Sequence, residues 1–354
     1  MSYAAVPLDL SAHREALAAL WTENMSDAGI AATVPRRMHW LYEDGPEGPP
    51  TTVLALHVES NAVVGCGSLF RRAIWVDGER LLAGVLCEFA VTRAHRTAGA
   101  ALTIQRALIE AARSSGLHLL YGFPNEKSVA VFKRVGYRVV AEATRWVKPL
   151  GAAYKLRQVR ALRAVAPLLA APIDLGLGAL DLLRTARVGR VTGTDLADPS
   201  LELRELWERS GRKDGVIGER SWGYLDWRYL RYPTAEHQVF GITRPGETSL
   251  CGYAMYVVSD GKAFVRDLFV EPGRSTAEAL LLTLARHLRR RRVDSMSLSY
   301  VGPHSFGARL RALGFLPRPG TRSLILHAAE VAEARRARLL DPSSWLMLDG
   351  ELDL

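Results

Sequence analysis

Arg93, His95, Arg96 and Gly99 share one short turn between two apolar stretches, a composition suited to gripping a phosphate or pyrophosphate. Leu81 to Val91, LLAGVLCEFAV, is apolar and free of proline, which predicts a buried strand. From Gly99 to Ala112 small and apolar residues recur at helical spacing, with Gln105, Arg106 and Glu110 on a wetter face. A strand that turns directly into a helix leaves backbone N–H groups unpaired at the helix start, where the helix dipole also favours an anion. Gly99 lets the backbone approach such a ligand, and Ala100 and Ala101 keep side chains out of its way. Glu88 is the only acidic residue between Leu81 and Val91. Flanked by Cys87 and Phe89, its carboxylate is partly desolvated and placed to act as a base. The competing reading is an ion pair with Arg71 or Arg72 on the neighbouring strand.

A second block lies about a helix further on, in YGFPNEKSVAVFKRVGYRVV, Tyr121 to Val140. Taken together, the two blocks resemble the GNAT acyltransferase superfamily. Its acyl-CoA signature is an Arg or Gln, two residues, Gly, one residue, then Gly or Ala, and Arg96, Gly99 and Ala101 fill those places. Its next block is filled by Asn125, Ser128, Phe132 and Gly136-Tyr137. The resemblance covers about residues 3 to 148. It implies that backbone groups of Ala90, Val91, Arg96, Thr97, Ala98, Gly99, Ala100 and Ala101 hold acyl-CoA, with Asn125, Ser128 and Phe132 beside it. It also implies that N–H groups around Ala90 and Val91 polarise the thioester carbonyl, and that Glu88 takes the amine's proton. One position departs from the pattern. Family members often have a tyrosine where Phe132 stands, as general acid for the thiolate. Water, Tyr121, Tyr137 or no group at all is left to do that work.

A chain of 354 residues suggests two domains of about 150 residues each. The N-terminal part reads as helices, an antiparallel meander, then strand–turn–helix and strand–helix–strand, the order that the resemblance requires. Gly151 to Val191 is rich in Ala, Leu and Arg and reads as one or two linker helices packed on the domains. Because basic residues accompany their apolar face, peripheral contact with a membrane is a second reading. From about Leu201 the order of elements repeats. Gly223 to Tyr229 echoes Arg36 to Tyr42, Asp267 to Val270 echoes Glu88 to Val91, and Gly314-Phe315 echoes Gly136-Tyr137. Arg322 to His327 is expected to close the second sheet. The expected fold class is α/β (α+β), with two tandem GNAT-like domains, each a mixed, mostly antiparallel central sheet flanked by helices. The units are 1–150, a helical linker 151–198, and a degenerate 199–354. Where the first copy has Arg96, Gly99 and Ala101, the second has Ser275, Glu278 and Leu280. A carboxylate there repels a pyrophosphate, so acyl-CoA is expected in the first unit only.

Three widely spaced cysteines argue against a disulfide framework or a metal site, and a reducing, cytoplasmic setting is expected. The first residues show no signal-peptide pattern, and without a run of eighteen or more apolar residues anywhere in the sequence no membrane span is expected. The net charge of +9 attracts anions such as CoA, anionic lipid or nucleic acid. Part of it, Arg289 to Arg292, reads as a solvated helix C-terminus. The expected activity is acetyl transfer from acetyl-CoA, or another acyl-CoA, to an amine of a small polar acceptor such as an amino sugar. Neither nucleic acid nor metal is expected. Asp267 would offer a cationic acceptor a second carboxylate, unless it pairs with Arg266 or Arg274. The alternatives are a non-catalytic acyl-CoA-binding scaffold of glycan assembly and an aminoacyl-tRNA-dependent cell-wall transferase. Pro342 to Gly350 and the Trp227-Arg-Tyr229 block further resemble tandem GNAT proteins of bacterial polysaccharide synthesis. Core aromatics are the plainer reading of those tryptophans.

Overall fold

The computed structural model describes residues 2–24, 30–96, 99–153, 156, 166–210, 214–273, 276–320, 322–328 and 331–351. The apolar runs of the N-terminal half pair as an antiparallel meander. β1 (Tyr3–Pro7) pairs with β2 (Thr51–His57), β2 with β3 (Ala62–Val76), and β3 with β4 (Glu79–Val91). Side chains alternate across it. Leu54 packs toward Trp21 and Leu41 of α1 (Leu10–Asn24) and α2 (Ile30–Tyr42), whereas Val53 and Ala55 join Ile104 and Leu108 of α3 (Ala100–Ser114). β5 (Leu119–Gly122), α4 (Glu126–Arg134), β6 (Arg138–Glu142) and β7 (Thr144–Pro149) complete this part.

The linker forms α5 (Ala166–Val188), with Pro172 inside it. There follow β8 (Thr192–Asp195), α6 (Ser200–Arg209), β9 (Val216–Gly218) and α7 (Trp222–Leu225), which runs into a π-turn at Asp226–Leu230. The second meander is β10 (Gln238–Thr243), β11 (Leu250–Ser259) and β12 (Lys262–Val270). Then come α8 (Thr276–Arg290), β13 (Ser295–Val301), α9 (His304–Ala312), β14 (Leu316–Arg318), β15 (Ser323–His327), α10 (Glu333–Leu340) and β16 (Trp345–Leu348). The architecture is mixed α/β, mostly antiparallel and flanked by helices.

Two strands change places. β7 lies antiparallel along β13 and β14, while β15 inserts between β5 and β6. Arg322 to His327 therefore closes the first sheet, where the sequence order suggests the second. β9 and β16 bridge the halves further, β9 on β3 and β16 on β9, giving one continuous sheet. The echoed helices meet at its centre. Trp40 and Trp227 stack with centroids 4.3 Å apart, and each indole donates to the other's backbone carbonyl at 2.7 and 2.8 Å. Phe70 stacks on the other face of Trp227 at 4.5 Å. Trp227 and Trp345 are fully buried, and core packing accounts for both.

Candidate active site

β4 and β5 run parallel only over Ala83–Val85 and Leu119–Tyr121, then part. On β4's other edge the register with β3 slips. Ser68 faces Cys87 and Cys66 faces Ala90, so Glu88 and Phe89 share the place opposite Gly67. Glu88 takes up this bulge with φ 49°, a conformation uncommon outside glycine. Its carbonyl accepts the Cys66 thiol at 3.0 Å. Beyond Val85 the β5-facing edge of β4 has no strand partner among the described pairings, so backbone N–H groups project into the gap. A cavity of about 240 Å³ occupies that gap. One wall is Leu86 to Ala90, the other is Phe123, Pro124, Asn125, Ser128 and Phe132, and Trp21 and Asn24 of α1 close one end.

Of the sequence-predicted residues, Glu88, Ala90, Asn125, Ser128 and Phe132 meet on this cavity. Asn125 caps α4, its Oδ1 accepting from the Ser128 N–H at 3.1 Å and the Ser128 hydroxyl at 3.0 Å. Phe132 is buried between Phe89 and Tyr137. Val91, Arg96, Gly99, Ala100 and Ala101 form the adjoining turn; Thr97 and Ala98 lie outside the described residues. Arg96 ties that turn to the cavity, its Nε donating to the Val91 carbonyl at 3.2 Å and a terminal nitrogen to Asn24 Oδ1 at 2.8 Å. Gly99 begins α3 at φ 97°, with no side chain capping the helix. A Cβ on Gly99 would meet nothing within 4 Å, so glycine serves the left-handed backbone here and leaves the helix start open. Ala100 packs beneath, fully buried. His95 is held by the Tyr3 hydroxyl at 2.8 Å, against β1.

Several roles need correcting. Glu88 pairs with Arg37 of α2, Oε1 to the guanidinium at 2.5 and 3.2 Å, and not with Arg71 or Arg72. Burial works against the Arg37 charge, but the facing carboxylate outweighs it and holds the guanidinium pKa above its ordinary value. Arg71 instead donates to the Glu47 and Ser115 carbonyls, and Arg72 pairs with Glu351. Tyr121 and Tyr137, candidates for the general acid, are absent from the cavity lining. Burial pushes both phenols well up.

Asp267 does not reach the cavity either. It is 1% exposed, gripped by Arg220 at 2.9 to 3.2 Å and by the Tyr253 hydroxyl at 2.8 Å. The expected partners lie elsewhere: Arg266 binds Asp349 at 2.6 Å, and Arg274 lies outside the described residues. Arg220 also touches Glu351 at 3.4 Å. Burial opposes the Arg220 charge, yet the two carboxylates keep its pKa well above the ordinary value. Glu351, which also accepts the Leu348 N–H at 3.0 Å, is the member of this network that lines the cavity. The Arg72–Glu351 pair occupies the space that a side chain at Gly218 would need.

Arg37, Arg322 and Glu351 are cavity residues that sequence reasoning missed. Arg322 reaches the cavity because β15 is inserted beside β5, donating to the Phe123 carbonyl at 3.1 Å. Arg37 sits one turn before the fully buried Leu41 and so shares the inward face of α2.

The second half repeats the bulge. Met255 faces Asp267 and Tyr256 faces Val265, leaving Arg266 extra. β12 and β13 are parallel through Val265 and Leu298 and then part. Here β13 carries β7 along one edge, and Tyr300 and Val301 pair with β16 on the other. The chain's own last strand thus fills the second gap. The second turn is shorter than the sequence comparison supposed: Glu278 and Leu280 fall inside α8, Glu278 bound by Arg309 at 3.2 Å and Leu280 fully buried, and Ser275 lies outside the described residues.

Residues 15–137 match the family model described as Acetyltransferase (GNAT) family. Search of curated proteins gives no match. Three solved structures are similar over nearly the whole chain. A GCN5-related N-acetyltransferase from Anabaena variabilis ATCC 29413 superposes with TM-score 0.63 at 10% identity, covering 92% of this chain and 73% of its own. A conserved protein of unknown function from Enterococcus faecalis V583, termed a probable N-acyltransferase, gives 0.62 at 11%, with 93% and 73% covered. A GCN5-related N-acetyltransferase from Kribbella flavida gives 0.60 at 15%, with 93% and 71% covered. At such identities the structures establish a shared fold, and the family match establishes the kind of domain. The chain therefore carries a GNAT-family acetyltransferase domain over residues 15–137.

Proposed function

We propose that this chain transfers an acetyl group from acetyl-CoA to the amine of a small polar acceptor such as an amino sugar. The observation that carries the reading is the parting of β4 from β5 beside an open helix start at Gly99. The pyrophosphate is assigned to the turn from Arg96 to Ala101, and the thioester arm to the gap beside Ala90. Residues 1–150 are read as the acyl-CoA-binding unit. Residues 199–354, joined through the linker 151–198, supply Arg322 and Glu351 to the acceptor end.

The chemistry follows from charge. A free amine is mostly protonated near neutrality and cannot attack. Glu88 takes that proton, directly or through one water, while Arg37 fixes its carboxylate. The amine nitrogen then bonds to the thioester carbon, and strand N–H groups near Ala90 and Val91 stabilise the oxygen that gains charge. The C–S bond breaks and the thiolate leaves. Since no tyrosine lines the cavity among the described residues, the proton that the nitrogen sheds on becoming an amide passes through water to the thiolate. The carboxylate of the second half on the cavity lining is Glu351, buried and paired with Arg72 and Arg220, and Asp267 does not reach it.

Incubation with acetyl-CoA and pooled amines should release free CoA and yield an acetylated product detectable by mass. CoA binding without turnover would favour the scaffold reading instead. Glu88→Gln should lower kcat about a hundredfold and flatten its rise with pH, leaving CoA affinity unchanged. A variant as fast as the parent at every pH would remove Glu88 as the base.

A further inference from the structure

α5 is amphipathic in the wrong sense for a helix facing water. Its acidic residues point inward. Asp181 is buried and binds Lys148 at 2.8 Å, Arg184 at 3.0 Å and Arg289 at 3.0 Å, and Asp174 accepts the Ala152 N–H at 2.7 Å. Ala170, Asp174, Asp181 and Thr185 follow the spacing of a packing stripe, lying against α8. The outward side is leucine. Leu168 and Leu175 are each 76% exposed, Leu182 60% and Leu183 63%. Twelve large apolar side chains are exposed among the described residues and seven of them lie on α5, so this is a continuous patch rather than scattered positions. No charged residue interrupts the outward side from Leu168 to Leu183.

Charge says what covers it. Between Gly151 and Thr194 the acidic residues are Asp174 and Asp181, both turned inward, against seven basic ones. Arg187 and Arg190 are exposed at the end of the leucine face, and Arg286 and Arg290 line the groove between α5 and α8. The sequence before α5 adds Lys155, Arg157, Arg160 and Arg163. Two copies of α5 laid together would bring basic flank onto basic flank in either direction, which disfavours self-association. No helix among the described residues is long and apolar enough to cross a membrane. A helix with a leucine face and cationic flanks instead lies in the plane of an interface.

We propose that α5 docks the protein on an anionic lipid bilayer, with its leucines in the headgroup–acyl boundary and Arg187 and Arg190 among the lipid phosphates. The inference is independent of the acyl acceptor and of the residues assigned to catalysis.

Sedimentation of the full chain with vesicles tests it. Wild type should sediment with vesicles containing phosphatidylglycerol and far less with pure phosphatidylcholine. The triple variant Leu168→Ser, Leu175→Ser, Leu183→Ser should lose at least about tenfold in affinity, with unchanged thermal unfolding because these side chains contact water. Arg187→Glu with Arg190→Glu should abolish the preference for anionic lipid. Failure to sediment with phosphatidylglycerol, or equal binding by the leucine variant, would overturn the proposal. So would a lipid-free dimer that the leucine substitutions dissociate, since the face would then belong to a second copy.

Discussion

Replacing Gly99 with glutamate should weaken acyl-CoA binding about a hundredfold in titration calorimetry, whereas Gly99→Ala should cost far less. The alanine variant isolates backbone strain. At φ 97° an L-residue is disfavoured by about 1–2 kcal/mol, and its Cβ meets no neighbour, so no clash adds to that. Glutamate has the same strain and adds a carboxylate at the open start of α3. Two unit charges 4 Å apart at an effective dielectric near 20 interact by about 4 kcal/mol. Salt and solvent reduce this toward about 2.7 kcal/mol, which is the hundredfold expected. Folding does not confuse the readout, because a negative charge at a helix N-terminus stabilises the helix by about 0.3–1 kcal/mol. Measured against the alanine variant, which carries the same strain, the added charge is favourable to the helix and strongly unfavourable to the ligand. Equal affinities for the alanine and glutamate variants would move the pyrophosphate away from this turn.

Asp267→Ala should be among the most destabilising single changes, by about 3–5 kcal/mol in denaturant titration. Removing it strips Arg220 of its two-oxygen partner and the Tyr253 hydroxyl of its acceptor, all within a site that water does not reach. Arg220 would keep its bond to the Gly218 carbonyl and the longer contact to Glu351, but no close carboxylate. The original expectation, that Asp267 touches the acceptor, makes a different forecast: a raised KM in a protein of normal stability. Side-by-side measurement of stability and of KM therefore tells a structural Asp267 from a substrate-binding one. Its influence on the cavity runs through Arg220 to Glu351, so surviving enzyme should bind acceptor with only modestly altered KM.

Local order proved legible, and remote partnership did not. The strand, turn and helix from Glu79 to Ser114 follow from composition and period, whereas Asn125 and Ser128 were reached only through the family resemblance, and their role as the cap of α4 emerged with the fold. The bulge at Glu88 carries no glycine or proline to announce it; it arises where β3 and β4 must stay paired while β4 turns from β5. Arg37 and Glu351 lie 51 positions before Glu88 and 279 after Arg72, respectively, and nothing in a hydrophobic period names a charge partner at such range. The exchange of β7 and β15 was hidden for the same reason. Each strand has the right length and apolarity for either sheet, and only their packing decides which edge receives it. The filling of the second gap by β16 was equally out of reach, although loss of the anion-gripping residues near Glu278 pointed to the same outcome by another route.

The central claim is that the gap between β4 and β5 receives the acyl-CoA and that β16 denies its counterpart in the second half. Determining the structure of the full chain with a non-hydrolysable acyl-CoA analogue tests it most directly. The account predicts one molecule per chain, its pyrophosphate on the backbone of Gly99 to Ala101 and its thioester mimic beside Ala90. A nucleotide bound at the start of α8, or one bound with its acyl end outside the β4–β5 gap, would contradict it.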